Sequence, residues 1–194
     1  MPPTVLMVAE KPSIALAIAK ALRPTGSEGE EKSGGDGGGP PVHMFQGTFR
    51  GLAAHLRVTA VAGHVFNLDF PDSMSDWDAV DPGELFDAPL VRRPTKAAVV
   101  TSLREAARGV DYLVLFLDCD REGEAICFEV IDVVAPLMAG SRTLGPGGGI
   151  LRAKFSAVTP SDIKRALEHL QAPTKSEADA VRFRQVKASV EYSE

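Results

Sequence analysis

Residues 112–124 read YLVLFLDCDREGE, in which a run of six apolar residues is followed directly by a strongly acidic segment. An apolar run without polar alternation is typical of a strand that is buried on both faces of a parallel sheet. The acidic segment contributes Asp118, Asp120, Glu122 and Glu124. Because carboxylates this close together repel one another, two interpretations are open: an acidic turn in solvent, or a binding site for a cation.

The start of the chain has the pattern of a second strand followed by a turn and a helix. Residues 4–9, TVLMVA, favour a buried strand, and residues 13–22, SIALAIAKAL, favour a helix. Ser13 could cap this helix, or Pro12 could occupy its first turn. Glu10 therefore lies at the carboxyl end of the predicted strand.

The rest of the chain also alternates strands with helices, which predicts an α/β fold with a mainly parallel sheet flanked by helices. The predicted elements are a strand pair within 42–70 joined near Gly51, a helix over 96–110, a helix over 122–138, a strand over 150–159 and a helix capped by Thr159. Residues 25–41, rich in glycine, proline and acid, are expected to form a disordered surface insertion. Residues 71–96 are expected to form a long connection without an element of its own.

Composition limits the class of protein. A chain of 194 residues suffices for one substantial domain. No apolar stretch reaches the roughly 18–20 residues of a membrane span, and the N-terminus lacks the basic region of a signal peptide. Cys119 and Cys127 form no disulfide framework, which suits a reducing intracellular compartment, and we assign both to packing. The net charge of −5 does not favour tight binding of nucleic acid by this chain alone.

Two of the predicted strands end in acidic residues. Glu10 follows the first strand, whereas Asp118, Asp120 and Glu122 follow the second. The carboxyl ends of parallel strands meet at one edge of the sheet, so neighbouring strands would bring Glu10 to the acidic cluster. A donor set of oxygens suits a hard cation, and Mg²⁺ needs only one or two carboxylates besides water and phosphate. From the pattern alone, the acidic turn and the metal site both remain open.

Other candidate motifs carry less weight. His64 could contact a phosphate or a nucleotide, but a single histidine after a strand is more often structural, and we interpret it so. The chain has no G-x-S-x-G nucleophile motif and no G-x-x-x-x-G-K-[ST] phosphate-binding loop. Nucleotide hydrolysis through a P-loop is therefore not supported.

Five segments of the chain occur in an order that resembles one known family. They are VLMVAEKPSIALAIAKAL from residue 5, VAGHVFNLDFP from 61, WDAVDPGELF from 77, LFLDCDREGEAICFEVIDVV from 115 and RAKFSAVT from 152. Together they resemble type IA DNA topoisomerases of the topoisomerase III branch, and LDCDREGEAICFEV is most similar to the eukaryotic topoisomerase III beta type. The resemblance covers about residues 4–24 and 42–170. It implies a Rossmann-like Toprim domain over 1–170, with 171–194 as a divergent, poorly ordered tail.

The resemblance also implies roles for individual residues. Glu10 matches a general acid/base that can also contact the metal, and Lys11 matches a lysine that stabilises charge on the phosphoryl group. The DxDxE residues Asp118, Asp120 and Glu122 match ligands of Mg²⁺, for which Mn²⁺ can substitute. The implied activity is ATP-independent, transient cleavage and rejoining of single-stranded DNA, or of RNA, through a 5′-phosphotyrosine. The resemblance further implies a nuclear protein.

One departure from the family concerns the nucleophile. The family's tyrosine lies in a later domain, and neither Tyr112 nor Tyr192 matches its motif. The chain thus resembles a truncated topoisomerase III, and we expect that it does not relax supercoiled DNA by itself. Two alternatives remain: a catalytically inactive, Mg²⁺-binding or regulatory fragment, and a Toprim nuclease or primase-like enzyme.

Overall fold

The computed structural model describes residues 1–34, 38–74 and 88–175. In chain order the elements are β1 (Thr4–Ala9), α1 (Pro12–Leu22), β2 (Gly29–Gly34), β3 (Gly39–Phe49), β4 (Leu52–Ala60), β5 (Phe66–Asp69), β6 (Val91–Pro94), α2 (Ala97–Ala107), β7 (Tyr112–Phe116), α3 (Arg121–Val134), β8 (Ile150–Arg152) and α4 (Pro160–Glu168). Single turns of 3₁₀ helix occupy Asp72–Met74 and Ala135–Leu137. Within these described ranges, no helix is long and apolar enough to cross a membrane.

The main sheet has six strands in the order β2-β3-β4-β1-β7-β8. Strands β4, β1, β7 and β8 run parallel to one another, whereas β3 is antiparallel to both of its neighbours. Strands β5 and β6 form a separate antiparallel pair. The predicted α/β fold with a mainly parallel sheet is therefore confirmed.

Both faces of the sheet are covered, which explains why its central strands are uniformly apolar. Along β1, side chains alternate between the two cores, as the period of a strand requires. On one face, α1 and α4 cover a core that includes Val5, Met7, Phe116, Leu151 and Ile163. On the other face, α2 and α3 cover a core that includes Leu6, Val8, Leu103, Leu115 and Val130.

The turn between β3 and β4 lies where the sequence predicts it. Arg50 and Gly51 join the two strands, and both have positive φ, at 51° and 76°. Positive φ at both central residues is the geometry of a type I′ hairpin, which matches the twist of the strands. At the start of the chain, Pro12 occupies the first turn of α1 and no side chain caps that helix, so the proline alternative is the one observed.

Three expectations about the connections are corrected. The prediction that residues 25–41 are disordered is wrong for Gly29–Gly34. This segment pairs with β3 through backbone hydrogen bonds, which do not depend on apolar side chains. As predicted, residues 29–32 lie on the surface. Residues 71–96 contain the strand β6. The strand predicted over 150–159 is confined to Ile150–Arg152, because Ala153 is the last residue of that run whose backbone bonds to β7.

After α4 the chain returns to the sheet at Gln171, the first residue of the predicted tail. The backbone of Gln171 exchanges two hydrogen bonds of 2.9 Å with that of Arg152. The part of the tail prediction that concerns 176–194 lies outside the described residues. The same holds for the connection over 75–87 and for residues 35–37 of the insertion.

Candidate metal and acid–base site

Two carboxylates meet at the carboxyl ends of the central strands. Strands β1 and β7 pair in parallel with Ala9 opposite Phe116, so the next residues of both strands emerge at the same edge. Glu10 follows β1, and Asp118 follows β7 by two residues. The structure thus brings Glu10 and Asp118 together, as the parallel pairing predicts.

Lys11 joins this pair of carboxylates. Its Nζ lies 3.6 Å from Oε1 of Glu10 and 3.8 Å from Oδ2 of Asp118. Lys11 immediately precedes α1, so the start of that helix fixes its position next to the end of β1. The site therefore contains a partly exposed ammonium group that faces two carboxylates.

The surroundings of Glu10 favour the protonated form of its carboxyl group. Burial raises the pKa of Glu10, and the negative charge of Asp118 and a hydrogen bond between the two side chains raise it further. The neighbouring charge of Lys11 lowers the pKa of Glu10 to a smaller extent. A raised pKa makes the carboxyl group of Glu10 easier to protonate than an ordinary glutamate, which is the direction that a proton donor requires.

The acidic segment turns directly into α3 with Asp120 as its N-cap. Oδ1 of Asp120 accepts a hydrogen bond of 2.7 Å from the backbone N–H of Gly123. A Cβ atom at position 123 would lie 2.0 Å from the carbonyl oxygen of Asp118, so only glycine allows the first turn of α3 to pack on this backbone. Asp120 keeps Oδ2 as an oxygen that capping does not use.

Glu122 is held by a histidine from a distant part of the chain. Nε2 of His64 donates to Oε1 of Glu122, and Nδ1 of His64 donates to Oε1 of Glu129 over 2.9 Å. Oε2 of Glu129 also accepts a hydrogen bond of 2.8 Å from the backbone N–H of Val65, and this bond fixes the orientation of the Glu129 carboxylate. From the sequence alone, His64 is predicted to be structural. The structure shows that it contacts both a buried carboxylate and a member of the DxDxE cluster.

The charge of His64 makes stability depend on pH. Its hydrogen bond to Glu129, with a contribution from Glu122, raises the pKa of His64 from 6.5 to about 9, although burial opposes the shift. Because the pKa of His64 is higher in the folded state than in the unfolded state, its protonated form stabilises the fold. This stabilisation is fully present below pH 6.5 and is lost as the pH rises through 9. We expect wild-type protein in a chelating buffer to lose about 1–2 kcal/mol between pH 6 and 9.5, allowing for screening at exposed Glu122.

The measurement is urea unfolding at both pH values, with His64→Asn and His169→Asn as the comparison. The His64→Asn variant should lack the loss, and the His169→Asn variant should retain it, because His169 is exposed at the end of α4. Equal pH dependence in wild type and His64→Asn would contradict the assignment.

Glu124 was not expected to differ from the other acidic residues, but it points into the core. Oε1 of Glu124 accepts a hydrogen bond of 2.9 Å from Nε of Arg152, and both side chains are buried. In the sequence, Arg152 stands out only as the first residue of the segment RAKFSAVT. A signal was present: Glu124 lies three and four positions before the buried Cys127 and Phe128, on the same face of α3.

The two cysteines differ. Cys127 is buried, and burial raises the pKa of its thiol to about 12, which confirms its assignment to packing. The same assignment is wrong for Cys119, which is exposed, with its thiol donating 3.2 Å to the carbonyl of Phe155. Cys119 lies in the acidic turn, where the chain has left the sheet.

The donor set fits a hard cation held by few protein ligands. Glu10 and Asp118 repel each other, and Asp118 is 42% exposed, so an ion can reach it. Among the described residues, no three His, Cys, Asp or Glu side chains are grouped so that they could hold a metal ion together. Mg²⁺ is commonly bound by one or two carboxylates with water and phosphate oxygens completing its shell, and the residues present fit that mode.

The family model described as Toprim domain matches residues 5–156. The chain belongs to the Toprim domain family. The predicted Toprim fold is therefore confirmed, and the site described above lies within the matched residues.

Relatives of this Toprim domain are topoisomerases of the 3-beta and 3-alpha types. It is 48% identical to DNA topoisomerase 3-beta of Arabidopsis thaliana over 93% of this chain, and 46% identical to DNA topoisomerase 3-beta-1 of Homo sapiens over 94%. Its identity to DNA topoisomerase 3-alpha of Arabidopsis thaliana is 38% over 95% of the chain. The higher identity to the 3-beta relatives agrees with the predicted resemblance. The chain spans about a fifth of the length of these relatives: 20%, 21% and 19%.

Proposed function

We propose that this Toprim domain supplies the metal-binding and acid–base groups with which a type IA, topoisomerase III-like enzyme cleaves and rejoins one strand of DNA. The observation that carries the proposal is the convergence of Glu10, Lys11 and Asp118 at the carboxyl edge of the sheet. The similarity to proteins named DNA topoisomerase 3-beta supports this assignment. Single-stranded DNA, with RNA as the other nucleic acid, is the proposed substrate, and the nucleus the proposed location.

The residues of the site divide the chemistry between them. Lys11 carries a positive charge to the scissile phosphate and neutralises charge that develops on its oxygens. Glu10 gives a proton to the departing sugar oxygen on cleavage and takes it back on rejoining, which its raised pKa favours. Asp118, with Glu10 beside it, would hold the metal, and water and phosphate oxygens would complete its shell; Asp120 and Glu122 follow in the same acidic segment. When bound, Mg²⁺ or Mn²⁺ supplies further charge neutralisation at the phosphate.

The nucleophile of the proposed reaction is not supplied by Tyr112. Tyr112 begins β7, whereas Asp118 follows the end of that strand, which puts the two residues roughly 20 Å apart along the sheet. The ring of Tyr112 packs at 5.1 Å from that of Phe49, at the opposite edge from Glu10. We therefore propose that the phosphotyrosine forms on a residue outside the described part of this chain.

Cation binding by Asp118 tests the proposed site. We expect Mn²⁺ to bind the wild-type chain and the Asp118→Asn variant to bind it at least tenfold more weakly, because one of few carboxylate ligands is lost. Isothermal titration measures both dissociation constants. Glu105→Gln, which removes one charge from the exposed face of α2, is the matched control and should bind as wild type does.

The same preparation distinguishes the alternative functions. The chain alone should not relax negatively supercoiled plasmid, and relaxation would show that it contains a nucleophile of its own. Metal-dependent nicking that persists in both Tyr112→Phe and Tyr192→Phe would favour a nuclease instead. Equal Mn²⁺ binding by wild type and Asp118→Asn would contradict the proposed metal site.

A further inference from the structure

Arg152 is a fully buried cation at the end of β8, directly beneath the acidic turn. Its side chain has no exposed surface, and its guanidinium makes four hydrogen bonds. Nε donates to Oε1 of Glu124 over 2.9 Å, and Nη1 donates to the carbonyls of Leu115 and Ala153 over 3.1 and 2.8 Å. Nη2 donates a hydrogen bond of 2.7 Å to the backbone carbonyl of Asp118. One side chain thus joins β7, β8, α3 and the acidic turn.

The contact with Asp118 is the one that concerns the site. Asp118 lies after the last residue of β7, so the ladder of the sheet no longer determines its backbone. Two groups hold it from below: the guanidinium of Arg152 and the first turn of α3 at Gly123. These two contacts fix the backbone from which the Asp118 carboxylate extends towards Glu10 and Lys11.

Only a guanidinium can satisfy this arrangement. Arginine presents its donors in a planar, rigid fork, whereas lysine concentrates its charge in one compact group on a flexible stem. A lysine at position 152 could meet Glu124 or the carbonyl of Asp118, but not both as arginine does. Glu124 in turn is fixed on its other oxygen, because Oε2 accepts 2.8 Å from the backbone N–H of Thr174.

Stability alone does not account for this pair. Burying two charges costs desolvation, and well-packed apolar residues of similar volume are often as stabilising or more so. We propose that Arg152, oriented by Glu124, is a positioning residue that fixes the Asp118 backbone so that its carboxylate can bind the cation. The inference deepens the proposed function and rests on it, because it concerns the same carboxylate.

The test separates positioning from packing with a double variant. Arg152→Met leaves Glu124 buried without its partner and is expected to be unstable, whereas Arg152→Met with Glu124→Leu replaces the pair by apolar side chains and should recover most of the lost thermal stability. The double variant should still bind Mn²⁺ about tenfold more weakly than wild type. Recovery of both stability and wild-type Mn²⁺ affinity would overturn the proposal.

Two single variants complete the test. Arg152→Lys keeps the charge and should weaken Mn²⁺ binding at least threefold at a temperature where it is folded; unchanged affinity would overturn the proposal even if the double variant does not fold. Leu151→Ala is the matched control, because Leu151 is a fully buried, apolar neighbour in β8. It should lower the melting temperature and leave Mn²⁺ affinity unchanged. Equal weakening of binding in this control would indicate a general loss of structure and would overturn the proposal.

Hydrogen exchange provides a readout without metal. Amides of the peptide 117–123 should exchange faster in Arg152→Lys than in wild type, whereas Leu151→Ala should leave them close to wild type relative to its global stability. If the wild-type chain binds no Mn²⁺, the proposed metal site fails, but the exchange measurement still decides the positioning role. Unchanged exchange in Arg152→Lys would overturn that role.

Discussion

Replacing Glu124 with alanine is expected to lower the free energy of unfolding by about 3–5 kcal/mol, because the charge of Arg152 would remain buried without its partner. Neither side chain of the pair is exposed by more than 2%. The backbone N–H of Thr174 would lose its acceptor as well. Urea unfolding followed by circular dichroism measures the loss, and a thermal scan provides an independent check.

Glu122→Ala is the matched control, two positions away in the same acidic segment. The side chain of Glu122 is 55% exposed, and exposed ion pairs contribute about 0–1 kcal/mol. We therefore expect Glu122→Ala to change the free energy of unfolding by less than about 1 kcal/mol. Similar losses for both substitutions would show that Glu124 does not have the buried role described here.

A methyl group at Gly123 is expected to destabilise the domain by about 2–3 kcal/mol, although alanine is the better helix former. Its Cβ would lie 2.0 Å from the carbonyl oxygen and 2.9 Å from the carbonyl carbon of Asp118. Backbone atoms cannot move aside as a flexible side chain does, so the first turn of α3 would have to shift away from the acidic turn. Chemical denaturation measures the loss, and Mn²⁺ affinity should fall with it.

Gly147→Ala provides the comparison for this substitution. A Cβ at position 147 would meet no atom within 4 Å, so we expect a change within about 0.5 kcal/mol. If Gly123→Ala were as stable as Gly147→Ala, the close packing of α3 on the Asp118 backbone would be contradicted.

Much of the fold can be predicted from local patterns, because its central strands are apolar on both faces and must be buried on both. The uniformly apolar runs of β1 and β7 require cover on both faces, and helices beside them in the sequence provide it. Strand β2 could not be predicted, because its glycines and acids carry no apolar pattern. Its partner β3 supplies backbone hydrogen bonds, which no local sequence signal records.

The four acidic residues of the turn look alike in the sequence but differ in the structure. Asp118 faces Glu10 and Lys11, and Asp120 caps α3, so their chemistry follows from strand and helix ends that the sequence predicts. The partner of Glu122 could not be predicted, because His64 is 58 residues away in the chain. Glu124 could have been distinguished from the others by its position on the helix, because it lies on the same face of α3 as the buried Cys127 and Phe128.

The charged edge strand β2 has a consequence for self-association. Within the described residues no strand pairs with its outer side, and unpaired backbone groups at a sheet edge are a template for strand pairing with another chain. Glu30, Glu31 and Lys32 occupy this strand and are exposed. Their desolvation would oppose intermolecular sheet extension at this edge. At the opposite edge, Gln171 pairs with Arg152 and occupies part of β8. The two edges of the sheet are thus protected against aggregation by different means. Charged side chains protect the β2 edge, and pairing with Gln171 covers part of the β8 edge.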